Sequence, residues 1–127
     1  EKTLNDTTKK KYIIIHQLNK KPVGMVSLMK IDLTFQKAEF GITIGEKNYW
    51  GTGVAKAASN MILHYAFQVL KLEEIYLTVF EANIRAIQFF SNLGFVKTDN
   101  TFTNENGTVL TAMSLKKTHF LNQTLSP

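Results

Sequence analysis

The chain has 127 residues, a length that fits one domain with a substantial hydrophobic core. Its composition, 44% hydrophobic and 20% charged, is that of an ordinary globular protein and excludes extensive disorder or a membrane-embedded protein. Cysteine is absent and the three histidines lack metal-ligand spacing, so we expect no disulfide, no thiolate nucleophile and no metal site. The net charge of +5 is spread along the chain, which suits an anionic ligand but predicts neither nucleic-acid nor membrane binding.

The first half of the chain predicts three strands followed by a long helix. Residues 12–18 are rich in β-branched side chains and 23–33 alternate loosely, so these two segments should pair as an antiparallel hairpin. Residues 38–45 are predicted to form a third strand. The helix is predicted over 54–69, and the apolar residues expected on its buried face are Val54, Ala58, Met61, Ile62, Tyr65, Ala66 and Val69.

The second half predicts a strand, a short helix and a hairpin. Residues 75–80 alternate between an aliphatic face and a mixed face, as a half-buried strand does. A helix over 84–92 is expected to begin at Asn83 as its N-cap and to end at Gly94. The hairpin strands are predicted at 95–102 and 109–115, around a turn with Asn-Gly at its tip.

This order of elements predicts the fold class. Three antiparallel strands, a helix, a strand, a helix and a hairpin make one α+β domain over 1–127, with a mixed, mostly antiparallel sheet and one βαβ crossover. The polar start, 1–10, and the tail after Lys117 are expected to be frayed.

Two glycines, Gly51 and Gly53, stand where the third strand ends and the long helix opens. The first backbone N–H groups of a helix lack partners within the helix and carry a partial positive charge. Glycines at this point would let an anion approach those groups closely. An ordinary strand-to-helix turn explains the two glycines equally well. A nucleoside-triphosphate loop is excluded because no Gly-Lys-Ser or Gly-Lys-Thr follows, and the third glycine of a dinucleotide fingerprint is absent.

Two motifs carry a family resemblance. The string NYWGTG at 48–53 follows the pattern Gln/Arg-x-x-Gly-x-Gly/Ala, with Asn48 departing at the first position. The second motif begins Asn-x-x-Ala-Ile at Asn83 and ends Leu-Gly-Phe at Phe95. At this spacing the pair is much more specific than either motif alone. The sequence resembles the GNAT superfamily of N-acetyltransferases over roughly residues 2–116, in the branch of ribosomal-protein and spermidine N-acetyltransferases.

The resemblance implies acetyl-CoA as co-substrate. In the family the coenzyme lies in a cleft where two neighbouring parallel strands splay apart, here 38–45 and 75–80. Its pantetheine arm would pair with the backbone of 42–44, its pyrophosphate would bind the N–H groups of 49–54, and Asn83 would lie near the thioester. The implied coenzyme-binding residues are Ile42, Thr43, Ile44, Asn48, Tyr49, Trp50, Gly51, Thr52, Gly53, Val54, Asn83 and Phe90.

The resemblance also implies direct attack of a primary amine on the thioester, which requires proton transfers. Many relatives protonate the leaving thiolate with a tyrosine. This chain has Phe90 at that position, and a phenyl ring cannot donate a proton. Some relatives also carry a glutamate base where this chain has Thr78. The nearest carboxylate that we can propose as a base is Glu39, acting through ordered water, with Glu81 as a second and weaker candidate. A surface glutamate at a strand end is an equally good interpretation of Glu39.

Relatives begin with a strand and one or two helices that this chain lacks, so the resemblance implies a chain truncated at its N-terminus, with residues 1–5 as the end of the last such helix. A truncated core would leave apolar strand surface open, and a homodimer is one way to cover it. The acceptor stays open among a protein N-terminus, an amino sugar or antibiotic, and a polyamine. The net positive charge disfavours a polycation unless the missing segment is acidic.

We expect a cytoplasmic enzyme on this reading, and two alternatives remain. One is a coenzyme-A-binding sensor or interaction module with little or no turnover, which the missing hydroxyl at Phe90 favours. The other is an α+β domain whose glycines only form turns.

Overall fold

The computed structural model describes residues 8–15, 20–44 and 53–125, which divide into two compact units on either side of the Leu72–Glu73 bond. Each unit contains three strands and at least one helix among these residues. No helix in the described residues combines the length and the apolar character that crossing a membrane requires.

The first unit is an antiparallel three-stranded sheet with a helix. Its strands are β1 (Lys10–Ile15), β2 (Pro22–Asp32) and β3 (Lys37–Ile44), and β2 pairs with both of the others. The predicted hairpin of the first two strands is confirmed, although β1 begins two residues earlier than predicted. The last part of that predicted strand, 16–18, lies outside the described residues.

The turn between β2 and β3 is built by Asp32. One oxygen of its carboxylate, Oδ1, accepts hydrogen bonds from the backbone N–H groups of Thr34 and Phe35, both at 3.0 Å. This local arrangement is the usual way in which an aspartate starts a turn. It fixes where β3 begins, and β3 carries several of the predicted site residues.

The long helix of the first unit, α1 (Val54–His64), continues into a π-helical turn, Tyr65–Val69. The prediction of its buried face was wrong in part, because Met61 is 74% exposed and Val69 is 62% exposed. The buried positions are instead Ser59, Ile62, Leu63, Ala66 and Phe67. Apolar residues lie on both possible faces of this sequence, and packing on the sheet selected the face with Leu63 and Phe67.

The second unit contains β4 (Glu74–Phe80), β5 (Val96–Thr103) and β6 (Val109–Lys116), with β6 between the other two and antiparallel to both. Because β4 and β5 both oppose β6, they run in the same direction, and α2 (Ile84–Leu93) connects them. The aliphatic face predicted for β4 is confirmed, with its three aliphatic residues buried: Ile75, Leu77 and Val79.

The C-terminal end of the chain corrects the expectation of a frayed tail. Residues after β6 form a third helix, α3 (Lys117–Leu125). Its Phe120 is only 2% exposed, and the backbone N–H of Lys117 donates to the carbonyl oxygen of Glu73 at 2.9 Å. The segment is mostly polar, so nothing in the sequence indicated that its one aromatic side chain would be buried. Burial of that ring supplies the tertiary packing that a short helix needs to be stable.

Candidate functional site

The C-terminal end of β3 carries three of the predicted site residues. Ile42 and Ile44 are half-buried, and Thr43 between them is exposed, as strand alternation requires. One edge of this segment pairs with β2, where Ile44 lies opposite Gly24. The site prediction for these residues relies on main-chain groups, so it depends on where the strand lies rather than on which side chains it carries.

Gly24 is a feature of this segment that sequence reasoning missed. A methyl group at Gly24 would overlap the carbonyl oxygen of Thr43 and would lie 3.1 Å from the Cα atom of Ile44. The backbones of β2 and β3 therefore approach each other more closely than any other residue type would allow. An isolated glycine inside a strand pattern signals such a close approach and could have identified this position.

Gly53 is the N-cap of α1 and has a backbone φ of +91°, in the left-handed region. Among the described residues, none lies within 4 Å of a methyl group placed at this position, so none of them blocks the approach to the helix N-terminus on that side. Gly53 provides no side-chain cap, and the first turn contains no acidic residue. The partial positive charge at this N-terminus is therefore not offset by a carboxylate of α1. The residues predicted before it, Asn48, Tyr49, Trp50, Gly51 and Thr52, lie outside the described residues.

An apolar groove of about 770 Å³ runs along β1 and α1 in the same unit. Of the predicted site residues that the structure describes, Val54 alone lines it. The other described lining residues are mostly aliphatic, with two tyrosines: Tyr12, Ile13, Ile14, Ile15, Val26, Ala57, Ala58, Met61, Ile62 and Tyr65. These lining residues carry no positive charge, and the two tyrosine hydroxyls are their only side-chain hydrogen-bond donors for a diphosphate. The groove is therefore distinct in chemistry from the open N-terminus of α1.

Glu39, the predicted proton acceptor, lies on β3 opposite Met29 in the register. Its Oε1 is 3.4 Å from the ammonium nitrogen Nζ of Lys30, and its side chain is 26% exposed while that of Lys30 is 72% exposed. The ion pair adds little to the stability of the fold, since pairs as exposed as this one contribute at most about 1 kcal/mol to the free energy of unfolding. Glu81, the second choice, is exposed at the end of β4.

Asn83 caps α2, as predicted. Its side-chain oxygen Oδ1 accepts a hydrogen bond from the backbone N–H of Ala86 at 3.0 Å. At the other end of α2, Gly94 has a φ of +110° and its N–H bonds back to the last turn, which confirms the predicted helix end. Because the cap uses Oδ1, the amide nitrogen of Asn83 is the donor that a ligand could engage.

Phe90 lies on α2 among other aromatic side chains. Its ring packs edge-to-face against Phe89 at 5.5 Å and against Phe95 at 6.0 Å between ring centroids. Such contacts are favourable for rings without a polar group. Packing within the second unit therefore explains a phenylalanine at this position, and Thr78, at the other departure from the family pattern, is exposed on β4.

Comparison with known proteins decides the family. A family model described as an acetyltransferase (GNAT) domain matches residues 2–96. The chain belongs to the GNAT acetyltransferase family. Its fold agrees, because the solved structure of the spermidine/spermine N-acetyltransferase SpeG from Vibrio cholerae matches with a TM-score of 0.84 at 28% identity, covering 97% of this chain and 74% of that chain. The α+β fold class is thereby confirmed.

Two relatives with names that give them an N-acetyltransferase activity match the chain in sequence. The spermidine N(1)-acetyltransferase of Vibrio cholerae is 31% identical over 96 residues, which are 76% of this chain and 54% of that protein. The putative ribosomal N-acetyltransferase YdaF of Bacillus subtilis is 31% identical over 74 residues, 58% of this chain and 40% of that protein. The chain thus spans about half the length of the relatives it matches.

Replacing the cap of α2 separates two roles of Asn83. We expect Asn83→Ala to lower the free energy of unfolding by about 1 kcal/mol, because the N–H of Ala86 loses its acceptor. Asn83→Ser keeps a capping oxygen and should retain nearly full stability. Chemical denaturation of the three proteins measures this difference. Equal destabilisation by both substitutions would show that the cap is not what Asn83 contributes.

Proposed function

We propose that this GNAT protein transfers the acetyl group of acetyl-CoA to a primary amine. The observation that supports this most directly is the N-terminus of α1, where a left-handed glycine leaves the backbone open and no acidic residue of the first turn competes with an anion. A diphosphate would gain hydrogen bonds from helix N–H groups and a favourable field there. The family match and the N-acetyltransferase relatives support the same reaction.

The proposed coenzyme site uses main-chain groups for most of its contacts. The pantetheine arm pairs with 42–44 along the edge of β3 that faces away from β2, and the pyrophosphate binds the N–H groups that lead into α1. The amide nitrogen of Asn83 donates a hydrogen bond to the coenzyme near its thioester. The arrangement explains why two glycines stand beside the helix start, since a side chain there would separate the phosphates from the backbone.

The reaction consists of one substitution and two proton transfers. The neutral amine attacks the thioester carbonyl carbon, a C–N bond forms, and the C–S bond breaks to release the coenzyme thiolate. The attacking nitrogen must lose a proton, and we propose Glu39 as its acceptor through water. Phe90 cannot protonate the thiolate, so that proton comes from solvent.

Lys30 provides a matched control for the role of Glu39, because both residues belong to the same ion pair. We expect Glu39→Gln to lower kcat by at least about 100-fold, the usual contribution of a general base. Lys30→Gln breaks the same ion pair but keeps the carboxylate, so its kcat should stay close to that of the original protein. The measurement is release of free coenzyme A from acetyl-CoA and an amine. Equal kcat values for the two variants would mean that Glu39 forms the ion pair with Lys30 but does not accept the proton of the amine.

Calorimetric titration of acetyl-CoA and of coenzyme A tests the proposed function itself. Micromolar binding of both is expected, followed by thiol release in a screen of primary amines that includes spermidine, peptides and amino sugars. A folded protein that binds neither ligand would overturn the proposal.

The second candidate function is a coenzyme-A-binding module without turnover. The observation that favours it is Phe90, whose ring packs against Phe89 and Phe95 and carries no hydroxyl group that could protonate the thiolate. Binding of both ligands with no thiol release from any amine in the screen would decide for this candidate.

The relatives named for spermidine make a polyamine one proposed acceptor, while the formal net charge of +5 opposes a polycation. We propose that the protein acts in the cytoplasm and that its acceptor is a small molecule or a protein amine. A homodimer is proposed because β1 exposes the apolar side chains of Tyr12, Ile13 and Ile15, and sedimentation of the protein measures it.

A further inference from the structure

The turn between β5 and β6 contains the only asparagine of the sequence that is followed by glycine, Asn106 before Gly107. Residues 104–108 are all exposed, so water reaches this pair. An asparagine loses its side-chain amide most readily when glycine follows, because glycine has no side chain to hinder the closure of a ring. The turn therefore combines the residue pair and the solvent access that this covalent modification requires.

The modification is a deamidation, and water is its only co-reactant. The backbone nitrogen of Gly107 gives up its proton and attacks the side-chain carbonyl carbon Cγ of Asn106. The new bond between nitrogen and carbon closes a five-membered succinimide ring. The bond from Cγ to the amide nitrogen Nδ2 breaks, and the amide leaves as ammonia with the proton that Gly107 gave up. Water then opens the ring at either carbonyl carbon, which leaves aspartate or isoaspartate at position 106.

The closed turn occupies the nitrogen that must attack. The N–H of Gly107 donates a hydrogen bond to the backbone carbonyl oxygen of Asn104 at 3.0 Å. Gly107 also has a φ of +80°, so its backbone is set in the left-handed region by the turn. A nitrogen whose N–H points at a carbonyl oxygen loses its proton less readily and is not free to turn toward Cγ of Asn106. The closed turn therefore suppresses the reaction.

Asn104 holds the turn closed through its side chain and its backbone. Its Oδ1 accepts hydrogen bonds from the N–H of Asn106 at 3.0 Å and from the N–H of Thr108 at 2.9 Å. Its own N–H donates to the carbonyl oxygen of Thr108 at 3.0 Å. Asparagine side chains commonly bond to the backbone of a turn in this way. Because every one of these groups is exposed, each bond competes with water, and the turn opens transiently.

We propose that Asn106 is a deamidation site whose rate is controlled by the side chain of Asn104. The reaction takes place in molecules whose turn is open, so its rate is the rate in an open chain multiplied by the open fraction. The product does not revert when the turn closes again. It places a carboxylate beside Glu105, and isoaspartate also adds a carbon atom to the backbone of the turn. This inference goes beyond the proposed function and does not depend on it.

The rate of deamidation in the folded chain tests the inference. Incubation at neutral pH, followed by peptide mapping that separates asparagine, aspartate and isoaspartate, would compare the full chain with a synthetic peptide of residues 101–110. We expect Asn106 to react at least about tenfold more slowly in the folded chain, the protection that a few exposed hydrogen bonds provide. Equal rates in the folded chain and the peptide would overturn the inference.

The full chain unfolded in urea identifies the reacting residue. There, Asn106 should react at the rate of the peptide and before every other asparagine of the chain. Earlier reaction at another asparagine would contradict the assignment of the site. Asn106→Gln should abolish the modification at this position, because glutamine would have to close a six-membered ring.

Variants of Asn104 test its control of the rate. Asn104→Ala removes the acceptor of two hydrogen bonds and should raise the rate at Asn106 about tenfold, toward that of the peptide. Asn104→Asp is the matched control, because its carboxylate keeps an oxygen that accepts from the same two N–H groups, so the rate should stay close to the original. Circular dichroism checks that both variants keep the fold. If the two variants react equally fast, the side chain of Asn104 does not control the reaction and the inference is wrong.

Discussion

Gly53→Glu is expected to weaken acetyl-CoA binding by at least about 100-fold, because it places a carboxylate where the diphosphate must approach the start of α1. Among the described residues, none lies within 4 Å of a Cβ atom at Gly53, so the new side chain starts in open space. The loss should therefore come from charge and obstruction at the N-terminus of the helix. Calorimetric titration of acetyl-CoA measures it.

Gly107 provides the matched control for this substitution. It also has a positive φ, +80°, and a methyl group at Gly107 would likewise meet nothing within 4 Å. In both variants the backbone strain of a side chain in the left-handed region lowers the free energy of unfolding by about 1 kcal/mol. Gly107→Glu, in the turn between β5 and β6, should keep acetyl-CoA affinity. An equal loss of affinity in the two variants would mean that the start of α1 does not bind the diphosphate.

Gly24→Ala is expected to have the largest effect on stability. The added methyl group overlaps the backbone of Thr43, and a backbone carbonyl cannot rotate away as a side chain can. We expect the free energy of unfolding to fall by about 3 kcal/mol, at the upper end of the cost of overpacking. Acetyl-CoA affinity, measured where the variant remains folded, should fall about tenfold, because Thr43 and Ile44 shift together with the edge of β3 that is proposed to bind the pantetheine arm.

Gly41→Ala serves as the control for Gly24→Ala. Its methyl group would lie 3.0 Å from the hydroxyl oxygen of Ser27, which can move by rotation of a side chain. The free energy of unfolding should change by less than about 1 kcal/mol. Urea denaturation of the two variants checks the comparison. A cost at Gly41 as large as that at Gly24 would show that the contact with the backbone of β3 is not what requires glycine at position 24.

Interactions between residues close in the chain could be predicted from the sequence. Asn83 and Gly94 were correctly predicted to bound α2, because a cap bonds to residues three or four positions away. Gly107 marks the tip of the predicted hairpin for the same reason, since a positive φ is a local property. Two motifs at a fixed spacing predict that residues 48–53 bind the coenzyme, and this stays a prediction.

The tertiary structure decided the features that depend on distant residues. Which face of α1 is buried was set by packing on the sheet, so Met61 is exposed and Leu63 is buried although both are apolar. The helix α3 is stabilised by burial of Phe120, and no pattern within residues 117–125 predicts that burial. Position 24 requires glycine because the backbone of Thr43 and Ile44 lies in direct contact with it, although these residues are about twenty positions away in the chain. Local preferences are properties of short segments, whereas burial and close approach are properties of pairs of segments, and only the folded chain brings those pairs together.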